Sequence, residues 1–291
     1  MLTIKQALNK AAEQLRCAGI EYPILEAQIL LAHLLGTDRL FLHINGKEPL
    51  SAQLASSFDE LIDARRKKTP IAYLTHSKEF LSLEFYVDDR VLIPRPDTEI
   101  LAEEAIRLAQ KIPDPSLLDL CCGSGCIGLS VADRVRDLHL TLSDISEDAL
   151  QVACINTTKL DLSDRSELIV SDLFEHIPDI QFDIIASNPP YITAEEMHAL
   201  SEDILCYEPH GALEGGSDGL EYYRRIIMQA QKFLKAPGHL LLEIGSKQAA
   251  DVIDLLASKG FRRIRVLEDY AGLDRVVCAV SECAESSDPQ V

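Results

Sequence analysis

From residue 116 onward short apolar segments alternate with helical ones, and this alternation narrows the possible folds more than any other feature of the chain. Apolar runs of strand length fall at 116–120, 138–143, 167–171, 182–187, 239–244, 261–267 and 275–281, and helical patterns fill most of the gaps. Strand and helix by turns mean an α/β protein with a doubly wound sheet, here of seven strands. Ligands bind such sheets outside the carboxyl ends of the strands, so the residues that follow each strand are where function is sought first.

One such place follows the first strand. Residues 117–132 read LLDLCCGSGCIGLSVA: strand, tight loop, helix. Gly123 and Gly125 let the backbone turn sharply and approach a ligand closely. Asp144 ends the next strand, 19 residues past Gly125, where a carboxylate can accept both hydroxyls of a ribose. Gly123, Gly125 and Gly128 also spell the dinucleotide fingerprint G-x-G-x-x-G, a weak signal alone. Asp119, just before the loop, would set a like charge against a pyrophosphate. S-adenosylmethionine has no phosphate, and its cationic sulfonium and amino group suit an acidic loop. Cys121, Cys122 and Cys126 cluster here without a second pair of metal-type ligands. They read as small residues packed around a turn, and no metal is expected.

The second place follows the strand 182–187, which runs into Asn188-Pro189-Pro190-Tyr191. The plain reading is a proline turn capping a strand. The tetrapeptide also answers a chemical need. An amide nitrogen is a poor nucleophile because its lone pair is delocalised into the carbonyl. Two acceptors aimed at its NH₂ protons can hold it at near-attack distance and stabilise the positive charge that develops. The Asn188 side-chain oxygen is one, and the Pro189 carbonyl, held rigid by proline, is the other. Tyr191 offers a flat face to a planar amide or base.

The first 75 residues read as helices only. Thr3 and Gln6 form a capping box before Ile4, Leu8, Ala11 and Leu15, and Gly19 ends that helix. Pro23 opens a second helix, with Ile24, Ala27, Leu31, Leu34 and Leu35 inward, and Gly36 closes it. Ser51 caps another that runs to about Lys68. Arg65, Arg66, Lys67 and Lys68 at its end either complement the helix terminus or form a docking patch. Residues 76–97 read as a β-hairpin and linker, with Leu81, Leu83, Phe85 and Val87 on one face of a strand. Asp97 can cap a helix over 98–110. The body of the sheet domain is expected over 98–283, with a mobile tail at 284–291.

Charge limits the partners. The net charge is −19, yet the first 75 residues hold nine Lys/Arg against eight Asp/Glu, so the acidity rests on the rest of the chain. Such a body repels a phosphate backbone, and nucleic acid is a disfavoured partner. No apolar run reaches the roughly 18 residues of a membrane span. The start lacks the apolar core and cleavage site of a signal peptide, so a cytoplasmic protein is expected.

Taken together, IPRPDTE at 93–99, DLCCGSG at 119–125, Asp144, SDLF at 171–174, SNPPYI at 187–192 and LLLEIG at 240–245 resemble the release-factor glutamine methyltransferase family (the HemK/PrmC family) over essentially the whole chain. NPPY alone is shared with adenine and other planar-amine methyltransferases, while IPRPDTE is more specific. The resemblance implies a Rossmann-like methyltransferase sheet that uses S-adenosylmethionine to methylate the glutamine of the Gly-Gly-Gln motif in peptide-chain release factors. It implies that Cys121, Cys122, Gly123, Ser124, Gly125, Asp144, Leu173 and Asn188 contact the donor. Asn188, Pro189, Pro190 and Tyr191 would hold the substrate glutamine, and the helical domain 1–75 would dock the release factor. A monomer is expected. Two positions depart from the family: cysteines stand where glycine often opens the loop, and Leu173 replaces an aromatic residue that often covers the adenine. The competing readings are a methyltransferase for an exocyclic amine of DNA or RNA, which needs a basic face or recognition domain, and a binding module without activity, which intact Asn188, Pro189 and Tyr191 oppose.

Overall fold

A computed structural model describes residues 2–282, and the tail expected at 284–291 lies outside the described residues. The chain divides into two compact units. One takes the chain up to Ser77 together with Ser201–Tyr207, and the other takes Lys78–Leu200 and the chain from Glu208 on.

The first unit is helical. It contains α1 (Ile4–Cys17), α2 (Pro23–Leu35), α3 (Arg39–Ile44), α4 (Ala52–Arg66) and α5 (Ile71–Thr75). Thr3 and Gln6 form the expected capping box, Gly36 takes the left-handed conformation after α2, and Ser51 caps α4. Leu15, Leu30, Leu31 and Ile62 are fully buried at its centre. Two expectations fail here. Ile24 is 58% exposed, because the first turn of α2 lies outside this core. The short helix α3, capped by Asp38, was not anticipated, since six residues show too little periodicity.

The second unit opens with a hairpin, β1 (Lys78–Phe80) and β2 (Leu83–Phe85). The strand was expected to begin at Leu81. Instead Leu81 and Ser82 both take positive φ, 48° and 63°, and make the two-residue turn. Phe80 and Phe85 meet edge to face beneath it. Asp97 does not cap the following helix α6 (Glu99–Ala109), because a 3-10 turn at Pro96–Thr98 intervenes and Asp97 pairs with Arg275 at 3.4 Å.

Strands and helices then alternate: β3 (Ser116–Leu120), α7 (Cys126–Arg134), β4 (His139–Asp144), α8 (Glu147–Lys159), β5 (Ser166–Val170) and β6 (Phe182–Ser187). After β6 come α9 (Ala194–Met197) and α10 (Glu202–Tyr207), the latter belonging to the helical unit. The sheet unit resumes with α11 (Glu221–Phe233), β7 (Leu234–Glu243), α12 (Ala249–Ser258), β8 (Arg262–Glu268) and β9 (Asp274–Ser281).

The seven strands lie in the order β5-β4-β3-β6-β7-β9-β8. All neighbours are parallel except at β9, which runs against both β7 and β8. Alternate residues of each strand feed the two faces. Leu117, Leu140 and Leu142 pack under α6, α7 and α8, while Leu118, Ile185 and Leu242 pack under α11 and α12. The order reverses between β3 and β6, so a crevice opens at their carboxyl ends. Among the described residues no helix is long and apolar enough to cross a membrane.

Candidate active site

A cavity of about 270 Å³ lies at that crevice. Its floor is the loop after β3. Cys121, Gly123 and Gly125 all take positive φ, which lets the chain reverse within five residues and start α7 at Cys126. Gly123 N–H donates to Asp144 Oδ2 at 2.9 Å, and Ser146 N–H donates to Oδ1 at 2.9 Å. Asp144 thus joins two loops and still lines the cavity. Burial raises its pKa, and these backbone donors oppose the rise. Nothing lies within 4 Å of where a Cβ of Gly123 would stand, so the backbone there is bare toward the cavity.

The roof comes from segments distant in sequence. Pro94, Arg95 and Thr98 of the 93–99 motif line one side, and Pro209, Gly211 and Ala212 line another. Glu208 links them: Ile93 N–H donates to its Oε2 at 3.2 Å, and Arg95 Nη2 to its Oε1 at 2.6 Å.

Asn188 follows β6 at the rim, and its Nδ2 donates to Thr98 Oγ1 at 3.4 Å. Pro190 also lines the cavity, while Pro189 is buried and Tyr191 lies half-buried against the α11 face. Glycines press on this backbone. A Cβ on Gly215 would stand 2.6 Å from Tyr191 Cα. Gln248 Nε2 donates to the Tyr191 carbonyl at 3.1 Å. Burial, with the Glu243 charge added, pushes the Tyr191 phenol up to about 12, so it stays neutral.

Cys121, Cys122, Gly123, Ser124, Asp144 and Asn188 line one cavity. Gly125 stands behind it, with its Cβ position against Leu129 and Leu142. Leu173 does not line it: its side chain is 4% exposed and packs in the core with Phe174. Tyr222 and Ile145 present their side chains to the cavity instead. Burial leaves the thiols of Cys121 and Cys122 neutral, and pushes Cys126 up to about 12. Asp119 is also placed differently from expectation. It is fully buried behind the loop, accepts the Gly128 N–H at 2.8 Å, and has its pKa pushed up to about 7 by desolvation. The charge set against a pyrophosphate is therefore weaker than the sequence suggests. Gly128 serves packing, since a Cβ there would meet Leu140 at 2.7 Å.

The PrmC N-terminal domain model matches residues 6–75, and the methyltransferase small domain model matches residues 98–217. A release factor glutamine methyltransferase of Clostridium acetobutylicum is 42% identical over 281 residues, covering 96% of this chain and 99% of that protein. The chain belongs to the release factor glutamine methyltransferase family.

A bifunctional methyltransferase of Rickettsia typhi is 38% identical over 293 residues, covering 94% of this chain but 57% of its own length. Among solved structures, a methyltransferase from Pyrococcus furiosus shares the fold at a TM-score of 0.51 and 14% identity, covering 78% of this chain and 99% of that one. Like its family, the chain is a methyltransferase with S-adenosylmethionine as donor. The residues present suit that donor: a carboxylate, bare glycine backbone and apolar walls meet in one cavity, with no basic group in the loop 121–125 to oppose a sulfonium. Motif spacing did not reveal Thr98, Glu208, Gln248 and Tyr222 as parts of the site, because each arrives through a tertiary contact.

Proposed function

We propose that this protein methylates the side-chain amide nitrogen of the glutamine in the Gly-Gly-Gln motif of peptide-chain release factors. The observation that carries this reading is Asn188, set on the cavity rim with its NH₂ turned to Thr98, so that its oxygen is left to accept from a substrate amide. S-adenosylmethionine supplies an electrophilic methyl group when bound. Asp144 would take the ribose hydroxyls and the bare backbone at Gly123 would face the donor, while Cys121, Cys122 and Ser124 complete the loop wall. Asn188 Oδ1 and the Pro189 carbonyl would accept the two amide protons and hold the nitrogen for attack on the donor's methyl group. Methyl transfer from the donor would make the amide nitrogen positive. Both acceptors strengthen at that moment, which is where binding energy lowers the barrier. The nitrogen then sheds a proton to water. Tyr191, neutral and half-buried, stacks against the planar amide, and Pro190 keeps the tetrapeptide extended.

The test is direct. Tritiated donor is incubated with the enzyme and a purified release factor, and the label is mapped by peptide. Label on the glutamine of the Gly-Gly-Gln motif is expected. Label on nucleic acid and none on protein would replace this reading with an exocyclic-amine methyltransferase.

A further inference from the structure

LLLEIG carries a carboxylate that the chemistry above does not use. Glu243 is the last residue of β7, and β6 pairs beside it with Ser187 opposite Leu242. One step further along both strands places Glu243 beside Asn188. Glu243 is 2% exposed, and its Oε2 has no hydrogen-bond partner among the described residues. A buried carboxylate oxygen without a partner is rare and costly, so a use for this group is worth seeking.

We propose that Glu243 is a positioning residue for methyl transfer, one whose carboxylate faces the NH₂ of Asn188 and thereby turns Asn188 Oδ1 toward the substrate nitrogen. The inference rests on the role given to Asn188 above. An asparagine amide has two flipped orientations of nearly equal shape, and its surroundings choose between them. With NH₂ inward, Asn188 meets the Thr98 hydroxyl and a carboxylate, two acceptors. With oxygen inward it meets the carboxylate as a like dipole end, which costs most where the site is dry. The chosen flip leaves an acceptor facing outward, as the reaction needs. Thr98 belongs to the 93–99 motif, so three motifs converge on one amide.

The surroundings make this device sensitive to pH. Burial, the largest effect, pushes Glu243 up to about 7, while Thr98, Arg275 and Asn188 favour its charged form and Asp97 opposes it. Arg275 on β9 is shared with Asp269 at 3.0 Å and Asp97 at 3.4 Å. Tyr191 in the tetrapeptide, Tyr223 on α11 and Cys126 on α7 also face this group, and burial raises all three, so they remain neutral. Protonating Glu243 removes the preference that holds Asn188.

Single-turnover rates at saturating donor, with a release factor carrying Gly-Gly-Gln, test the proposal in wild type, Glu243→Gln, Asn188→Ala and the double variant. Glu243→Gln is expected to slow the step by about tenfold or more, with donor Kd by calorimetry within about twofold. The wild-type rate should climb as pH rises through neutrality, and the Gln variant should lose that limb. In the Asn188→Ala background Glu243→Gln should cost nothing further, because Glu243 acts through Asn188. Losses that multiply in the double variant, a pH limb that survives in Glu243→Gln, or a donor Kd that weakens in step with the rate would each overturn the proposal. If Glu243→Gln does not fold, Thr98→Val decides alone: a severalfold loss absent in the Asn188→Ala background supports it, and a wild-type rate sinks it. A wild-type rate for Asn188→Ala would instead overturn the reading of the tetrapeptide.

Discussion

The proposed mechanism concentrates the chemistry into one neutral oxygen, that of Asn188, and gives the ribose to Asp144. Removal of Asn188 should therefore act on the chemical step more than on binding. Asn188→Ala is expected to lower kcat by about 10²–10³, with smaller changes in the affinity for either substrate. Asn188→Asp keeps an acceptor and should retain measurable activity where Ala does not. Burst and single-turnover measurements at saturating donor would separate the two. Asp144 acts on the other reactant. Its two oxygens already hold Gly123 and Ser146 in place, so Asp144→Ala removes both a ribose partner and the tie between two loops. Donor affinity by calorimetry should fall by at least about tenfold, while affinity for the release factor stays within about twofold. Both residues stand in the sequence at strand ends, where the alternation of elements draws attention. Glu243 ends a strand as plainly and Thr98 sits in the 93–99 motif, but nothing in a linear pattern says that residues 55 and 90 positions from Asn188 face the same amide.

At the scale of elements, the strand β3 carries an ionisable group that favours acid. Asp119 has a folded pKa of about 7 against the ordinary carboxylate value of 3.8, because it is fully desolvated. A folded value raised above the unfolded one means that stability is full below about pH 4 and falls as pH rises through 7. Asp119→Asn removes that titration while an amide oxygen can still accept from Gly128. At pH 8 the variant should be more stable than wild type by about 2–4 kcal/mol. The gain should vanish by pH 4, as thermal unfolding across that range would reveal. An equal gain at both pH values would show that packing, not charge, is responsible. The helix α4 shows a second device. Arg65 is buried between Glu26, at 2.6 Å, and Asp203 of α10, at 3.1 Å, and the Tyr207 hydroxyl donates to the Lys67 carbonyl at 2.6 Å. Arg65→Ala strands two carboxylates and should cost about 3 kcal/mol in denaturant unfolding. A Cm within error of wild type would mean that water pairs these acids as well as Arg65 does. The helices and their caps were legible because Thr3, Ser51, Pro23 and Gly36 act locally. The pairing of Arg65 with Asp203 was not, since 138 residues separate them.

For the whole molecule, the loss of Arg65 to internal pairing narrows the surface on offer to a partner. Of the four bases at the end of α4, Arg66 and Lys67 are exposed, Lys68 is half-buried, and Arg66 is itself paired with Asp63 at 2.8 Å. We expect the helical unit to dock the release factor through these three, since the charge balance of the first 75 residues differs so sharply from that of the remainder. Replacing Arg66, Lys67 and Lys68 with Ser should raise KM for the intact factor several-fold at low salt, with kcat unchanged. The effect should fade as ionic strength rises, because exposed charges are screened over about 10 Å at 0.1 M. A KM that stays constant at low salt would return these bases to the simpler role of complementing a helix terminus.

The return of Ser201–Tyr207 to the helical unit bears on how such a protein can be cut, shuffled or inherited. The covalent chain passes between the two units three times, not once, so no single breakpoint separates them. A recombination event at residue 77 would deliver helices α1 to α5 without the α10 segment that supplies Asp203 and Tyr207. A chimera that borrows its helical unit from a relative should therefore borrow both segments or neither. Swapping one alone puts the Arg65–Asp203 ion pair at risk. Lineages that exchange partner specificity by trading this unit would be expected to alter it through point changes rather than through splicing.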